Sequence, residues 1–60
     1  MYVVQHKCGH SKWITIGDSH NNISDAKHLR DSIIKLGILK DDEFRIAEEY
    51  FVTRYKAIKA

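Results

Sequence analysis

The chain contains no proline and one cysteine. A single thiol cannot close a disulfide within the chain, so nothing covalent staples the fold. Without proline, the ends of helices and strands have to be marked by glycine and polar clusters, and glycine is itself scarce, with three residues. No apolar run approaches the roughly 20 residues that a helix needs to span a bilayer. The opening stretch Met1 to Lys7 lacks the charged-then-apolar layout of a secretory signal. These absences point to a reducing, cytoplasmic setting. The net charge is only +2, which gives weak overall attraction to nucleic acid. No catalytic or cofactor motif stands out, so the expected activity is non-enzymatic and no cofactor is expected.

What is present is enough for one small folded domain. Hydrophobic residues make up 43% and charged residues 30% of the 60 positions, which suits a globular chain rather than a disordered one. A chain this short buries about 60% of its unfolded surface, so its stability is marginal unless a metal, tight helix packing or self-association adds to it. Charge is unevenly spread. Residues 23–40 carry Lys27, Arg30, Lys35 and Lys40 against Asp25 and Asp31 and form the most basic third; residues 41–60 are slightly acidic.

Residues 41–59 dominate the helical reading. Phe44, Ala47, Phe51, Tyr55 and Ile58 recur at steps of three and four, Asp41 stands where an N-cap belongs, and Arg54, Lys56 and Lys59 lie near the far end. The spacing predicts a helix over about 42–58. Upstream, Ser24 reads as an N-cap, Ala26, Leu29, Ile33 and Leu36 as an apolar stripe, and Gly37 as a C-cap, which predicts a helix over about 25–36. Tyr2 to Lys7 and Lys12 to Ile16 are rich in β-branched and aromatic residues and flank Cys8-Gly9-His10-Ser11, which predicts a hairpin over about 2–17. A two-residue Gly9-His10 turn would set His6 opposite Trp13 and Val4 opposite Thr15. The expected fold is α+β with element order ββαα and both helices on one face of the sheet. Its core would hold Val3, Ile14, Ile16, Leu29, Ile33, Leu36, Phe44, Ala47, Phe51, Tyr55 and Ile58. Two strands alone make a marginal sheet, and a homodimer joining two hairpins would relieve that.

Four sets of residues are candidates for function. Tyr2 and Trp13 fall on one sheet face in this register, and Ile46, Tyr50 and Ala57 form a lesser ridge on the second helix; together they suggest a surface for an unidentified protein partner or for self-association. The two helices joined by a short link also suggest a nucleic-acid module, with Arg45, Arg54, Lys56 and Lys59 reading bases and Lys27, Arg30 and Lys35 on phosphates, although Glu48 and Glu49 interrupt that surface. His6, Cys8 and His10 offer metal-ligating atoms, but the second closely spaced pair of a zinc site is missing. Cys8 beside a histidine is the one arrangement that could activate a nucleophile, and so small a domain has little room for a pocket around it. The favoured expectation is a small binding or regulatory protein that acts through a protein–protein surface.

Overall fold

The computed structural model describes residues 1–50 and 54–58. Its elements run β1 (Tyr2–Lys7), β2 (Ile14–His20), α1 (Ile23–Leu36), β3 (Glu43–Tyr50) and β4 (Arg54–Ile58). The four strands form one antiparallel sheet in the order β2-β1-β3-β4. The fold is thus ββαββ, with one helix against a four-stranded sheet. The expected ββαα arrangement is overturned: the segment read as a second helix is two strands.

The physical reason lies in that segment's composition. From Glu43 to Ile58, eight of sixteen residues are β-branched or aromatic, a bias that favours a pleated surface. The same stretch also alternates with period two. Phe44 and Ile46 face α1 while Arg45 and Ala47 face away, and in the sheet Ile46 sits opposite both Val4 and Ile58. A three-four spacing of apolar residues is compatible with both patterns, and pairing with β1 decides between them. The sheet is completed within one chain, so the two-stranded hairpin needs no second copy to extend it.

The hairpin also differs by one residue from the expected register. A turn closes with the Ser11 amide donating to the Cys8 carbonyl, but Lys12 and Trp13 lie outside β2, and the ladder begins with His6 opposite Ile14, followed by Gln5–Thr15 and Val4–Ile16. A one-residue slip moves every side chain of a strand to the other face. Ile16 therefore joins Tyr2 and Val4 beneath the helix, and Tyr2 and Trp13 do not share a face. β2 also continues to His20, past the expected end of the hairpin at about residue 17. Between Val4–Ile16 and Tyr2–His20 it carries two more residues than β1, and Gly17 takes φ of +68° in this bulge. A Cβ at Gly17 would meet Leu29 Cδ2 at an ordinary 3.6 Å, so the backbone angle rather than space requires glycine. Gly17→Ala is expected to destabilise the fold by about 1–2 kcal/mol, the cost of a left-handed alanine, readable as a lower urea midpoint with an unchanged slope.

α1 begins two residues earlier than expected, with Asn22 rather than Ser24 in the N-cap position, and ends at Gly37 as the sequence implies. Gly37 has φ of 71° and its amide donates to the Ile34 carbonyl at 3.1 Å, a left-handed helix stop. Ala26 is fully buried and, with Val4 and Ile46, centres the core, against which Tyr2, Ile16, Ile23, Leu29 and Phe44 pack. Ile46, expected on a side ridge, is 1% exposed and is the largest fully buried side chain among the described residues. Ile14, Leu36 and Tyr55, expected in the core, are 54%, 70% and 40% exposed. Phe51, also expected in the core, lies outside the described residues. No helix among the described residues is long and apolar enough to cross a membrane.

The segment that returns the chain from α1 to β3 is tied down by one polar contact. His6 Nδ1 on β1 lies 2.6 Å from Asp42 Oδ2, with both side chains largely buried. Asp42→Ala leaves a buried imidazole nitrogen without its partner and is expected to cost about 1–3 kcal/mol, measured by chemical denaturation.

Candidate binding face

The sheet has two unlike faces. Tyr2 and Val4 of β1 and Phe44 and Ile46 of β3 pack with α1, while the odd-numbered residues Gln5, Lys7 and Arg45 lie on the far side, which no helix covers among the described residues. Inner strands β1 and β3 place Gln5 and Arg45 directly opposite one another, and β2 places Thr15 on the other side of Gln5. A polar chain follows from this register: Arg45 Nε donates to Gln5 Oε1 at 2.7 Å, and Gln5 Nε2 donates to Thr15 Oγ1 at 3.2 Å. Gln5 is 2% exposed, so both halves of its amide must be satisfied, and they are.

Trp13 lies over this chain. The Arg45 guanidinium carbon is 4.3 Å and Lys7 Nζ 4.9 Å from the indole centroid, both within cation–π range. Lys7 also reaches Glu43 Oε2 at 3.4 Å. Partial burial pulls the Arg45 pKa below its ordinary value, and the guanidinium stays charged at neutral pH because its intrinsic pKa is so high. At the other end of the sheet, Ser19 Oγ donates to Glu49 Oε1 at 3.2 Å. The arrangement presents an aromatic plate with two cations and hydrogen-bonding side chains beside it. Trp13, Arg45 and Lys7 are all partly exposed.

The remaining candidates are dispersed. Tyr2 and Ile46 are built into the helix–sheet core. Tyr50 is 39% exposed on β3, and a hydrogen bond with Glu48 is the main cause that raises its phenol pKa. Glu48→Ala removes that acceptor and its charge and is expected to bring the Tyr50 titration back toward an ordinary tyrosine near 10, visible in an alkaline absorbance titration. The helix-turn-helix geometry fails with the fold: Arg45 is on β3, Arg54 and Lys56 are on β4, and Lys59 lies outside the described residues. Lys27, Arg30 and Lys35 stay on α1, where Arg30 Nε pairs with Asp31 Oδ1 at 3.2 Å. His6 is engaged by Asp42, Cys8 is exposed, and no group of three metal-ligating side chains is gathered among the described residues.

Gln5 and Thr15 belong to the site and were not singled out from sequence. The available signal was a glutamine within the strand-forming run Tyr2 to Lys7, where a central strand would bury it and demand partners. No family model, curated protein or solved structure matches the chain.

Proposed function

We propose that this chain is a small non-enzymatic binding protein, regulatory in its action, that engages a protein partner through the sheet face opposite α1. The observation that carries the reading is Trp13 held against Arg45 and Lys7 on that face. Tryptophan and arginine are the residue types most enriched at interface hot spots, where a rigid aromatic supplies area and a guanidinium supplies directed hydrogen bonds. Their placement before binding matters as much as their identity. The Gln5–Arg45 bond and the stacked indole lower the side-chain ordering that a partner would otherwise have to impose. The charge next to Trp13 favours a partner segment that presents a carboxylate beside an apolar side chain. A lone exposed cysteine suits a reducing compartment, and the cytoplasm is part of this proposal.

The test is affinity capture from a bacterial lysate with tagged wild-type protein and with Trp13→Ala, each with and without nuclease. A stoichiometric protein retained by the wild type through nuclease treatment, and bound about 30-fold more weakly by Trp13→Ala, is the expected result for a hot-spot residue. An unchanged circular dichroism spectrum for the variant separates loss of binding from loss of fold. Retention that disappears with nuclease would replace this reading with nucleic-acid binding, in which the same aromatic and cations stack on and neutralise a single strand.

A further inference from the structure

The apolar residues of this small protein are not all used by its core. Five of the seven residues from 33 to 39 are aliphatic. Three of them are left mostly in solvent: Ile34 is 52%, Leu36 70% and Ile38 72% exposed. All three lie within five residues at the C-terminal end of α1, where Gly37 leaves the helix through the left-handed region and its amide donates to the Ile34 carbonyl. Meanwhile the buried apolar core among the described residues contains only Val3, Val4, Ala26, Ile46 and Ala47. A cluster of exposed aliphatics on so small a protein marks an interaction site.

We propose that the C-terminal end of α1 is a homodimer interface, with a second copy of this chain as the occupant. Two observations select a second copy. The first is charge. Asp31, Ile34 and Lys35 are spaced three and four apart, so they share one exposed side of α1. When two such helices cross antiparallel about a two-fold axis midway between Asp31 and Lys35, Ile34 lies beside its own copy. Asp31 of each chain, whose carboxylate is 64% exposed and touches its own Arg30 with one oxygen, then meets Lys35 of the other. A two-fold interface must be self-complementary in this way. The second is area. The protein exposes 4548 Å² in all, and a standard interface covers about 800 Å² per partner, roughly a sixth of it. One helix end offers less than that, which places the dimer in the small, weakly associating class. Homodimer contacts are also the more apolar class, in keeping with an Ile34–Ile34 contact at the centre flanked by two Asp31–Lys35 pairs.

This surface lies away from Trp13 and does not depend on the partner-binding proposal. The test is sedimentation equilibrium of the full chain from micromolar to millimolar concentration. Wild type is expected to pass from monomer to dimer across that range. Ile34→Ser combined with Ile38→Ser is expected to weaken association by about tenfold or more while leaving the fold intact, since both side chains are already mostly exposed. Asp31→Lys and Lys35→Asp are each expected to dimerise several-fold more weakly, because each sets like charges opposite one another. Mixing these two variants restores opposite charges at both contacts and is expected to recover a heterodimer. Trp13→Ala is expected to dimerise like wild type.

A wild type that stays monomeric to millimolar concentration overturns the proposal. So does a dimer untouched by the Ile34/Ile38 variant, or a charge-reversed pair that gains nothing on mixing. If the monomer instead co-sediments with phosphatidylcholine vesicles, the occupant is a lipid surface and the second copy is wrong. A dimer lost only in Trp13→Ala would move self-association to the opposite sheet face.

Discussion

Ile46→Ala is expected to remove more than half of the chain's stability and to lower its melting temperature steeply. Ile46 is the largest fully buried side chain among the described residues and is centred between Val4, Ile58 and the helix residue Ala26. Truncating a buried isoleucine costs about 2–5 kcal/mol, the sum of lost transfer energy and the cavity left behind. A domain of this length has about 3–9 kcal/mol of stability in total, and it has no disulfide to limit the unfolded ensemble. Tyr55→Ala is the matched control. Tyr55 is 40% exposed on β4, and its truncation is expected to cost about 1 kcal/mol or less, the scale of a surface substitution. The order of the two effects discriminates between folds. A helix over residues 42–58 would put Tyr55 on its buried stripe and Ile46 to one side, so thermal melts followed by circular dichroism would then rank the two variants the other way.

The second large effect is expected from Ala26→Leu. Ala26 has no exposed surface and lies where α1 comes down on Val4 and Ile46. Three extra carbons there cannot be accommodated by a rotamer change, because the sheet lies directly beneath. The helix must lift away from the sheet, with an overpacking cost of about 1–3 kcal/mol. Lifting it also weakens the other contacts that α1 makes, which among the described elements are with β1, β2 and β3. The expected result is a steep fall in urea midpoint, together with a shallower slope if the variant's packing loosens before it unfolds. Ala26→Leu with wild-type stability would mean that the helix does not press on the sheet at this position.

Some of this fold was legible in the sequence. The first strand and the helix carry unambiguous local signals: Tyr2, Val3 and Val4 favour a strand, and the stripe through Ala26, Leu29 and Ile33 closed by Gly37 matches the observed helix with its left-handed stop. The last third was not legible from apolar spacing alone. Phe44, Ala47, Phe51 and Tyr55 fit a helical stripe, while the strand pattern of Phe44 and Ile46 against Arg45 and Ala47 fits a pleat. What favours the pleat is non-local: Ile46 gains Val4 and Ile58 as neighbours only when β1 and β4 flank it. The β-branched and aromatic content of that segment was the local signal that pointed the right way.

The candidate face was legible in its parts and not in its assembly. Trp13 and Arg45 both stood out, but for separate reasons, one as an exposed aromatic of the hairpin and the other as a base-reading side chain on a helix. They meet because β1 lies between β2 and β3, a sheet order that no local pattern encodes. The tip of the hairpin also escaped a local reading. Lys12 and Trp13 look like strand residues, yet they lie outside β2, and that one-residue difference sends Trp13 to the side of the sheet opposite α1.

The most direct test of the binding face is a nuclear Overhauser spectrum of the uniformly labelled protein, read at the Trp13 indole. Trp13 ring protons are expected to show cross-peaks to the Arg45 and Lys7 side chains, with Arg45 methylene protons shifted upfield by the ring. The Ala26 methyl is expected to see Val4 and Ile46 and not Trp13. Cross-peaks from the Trp13 indole to Ala26 or Leu29 would put the ring under the helix, and sequential helical amide contacts from Glu43 to Tyr50 would remove the strand that carries Arg45; either result contradicts the account.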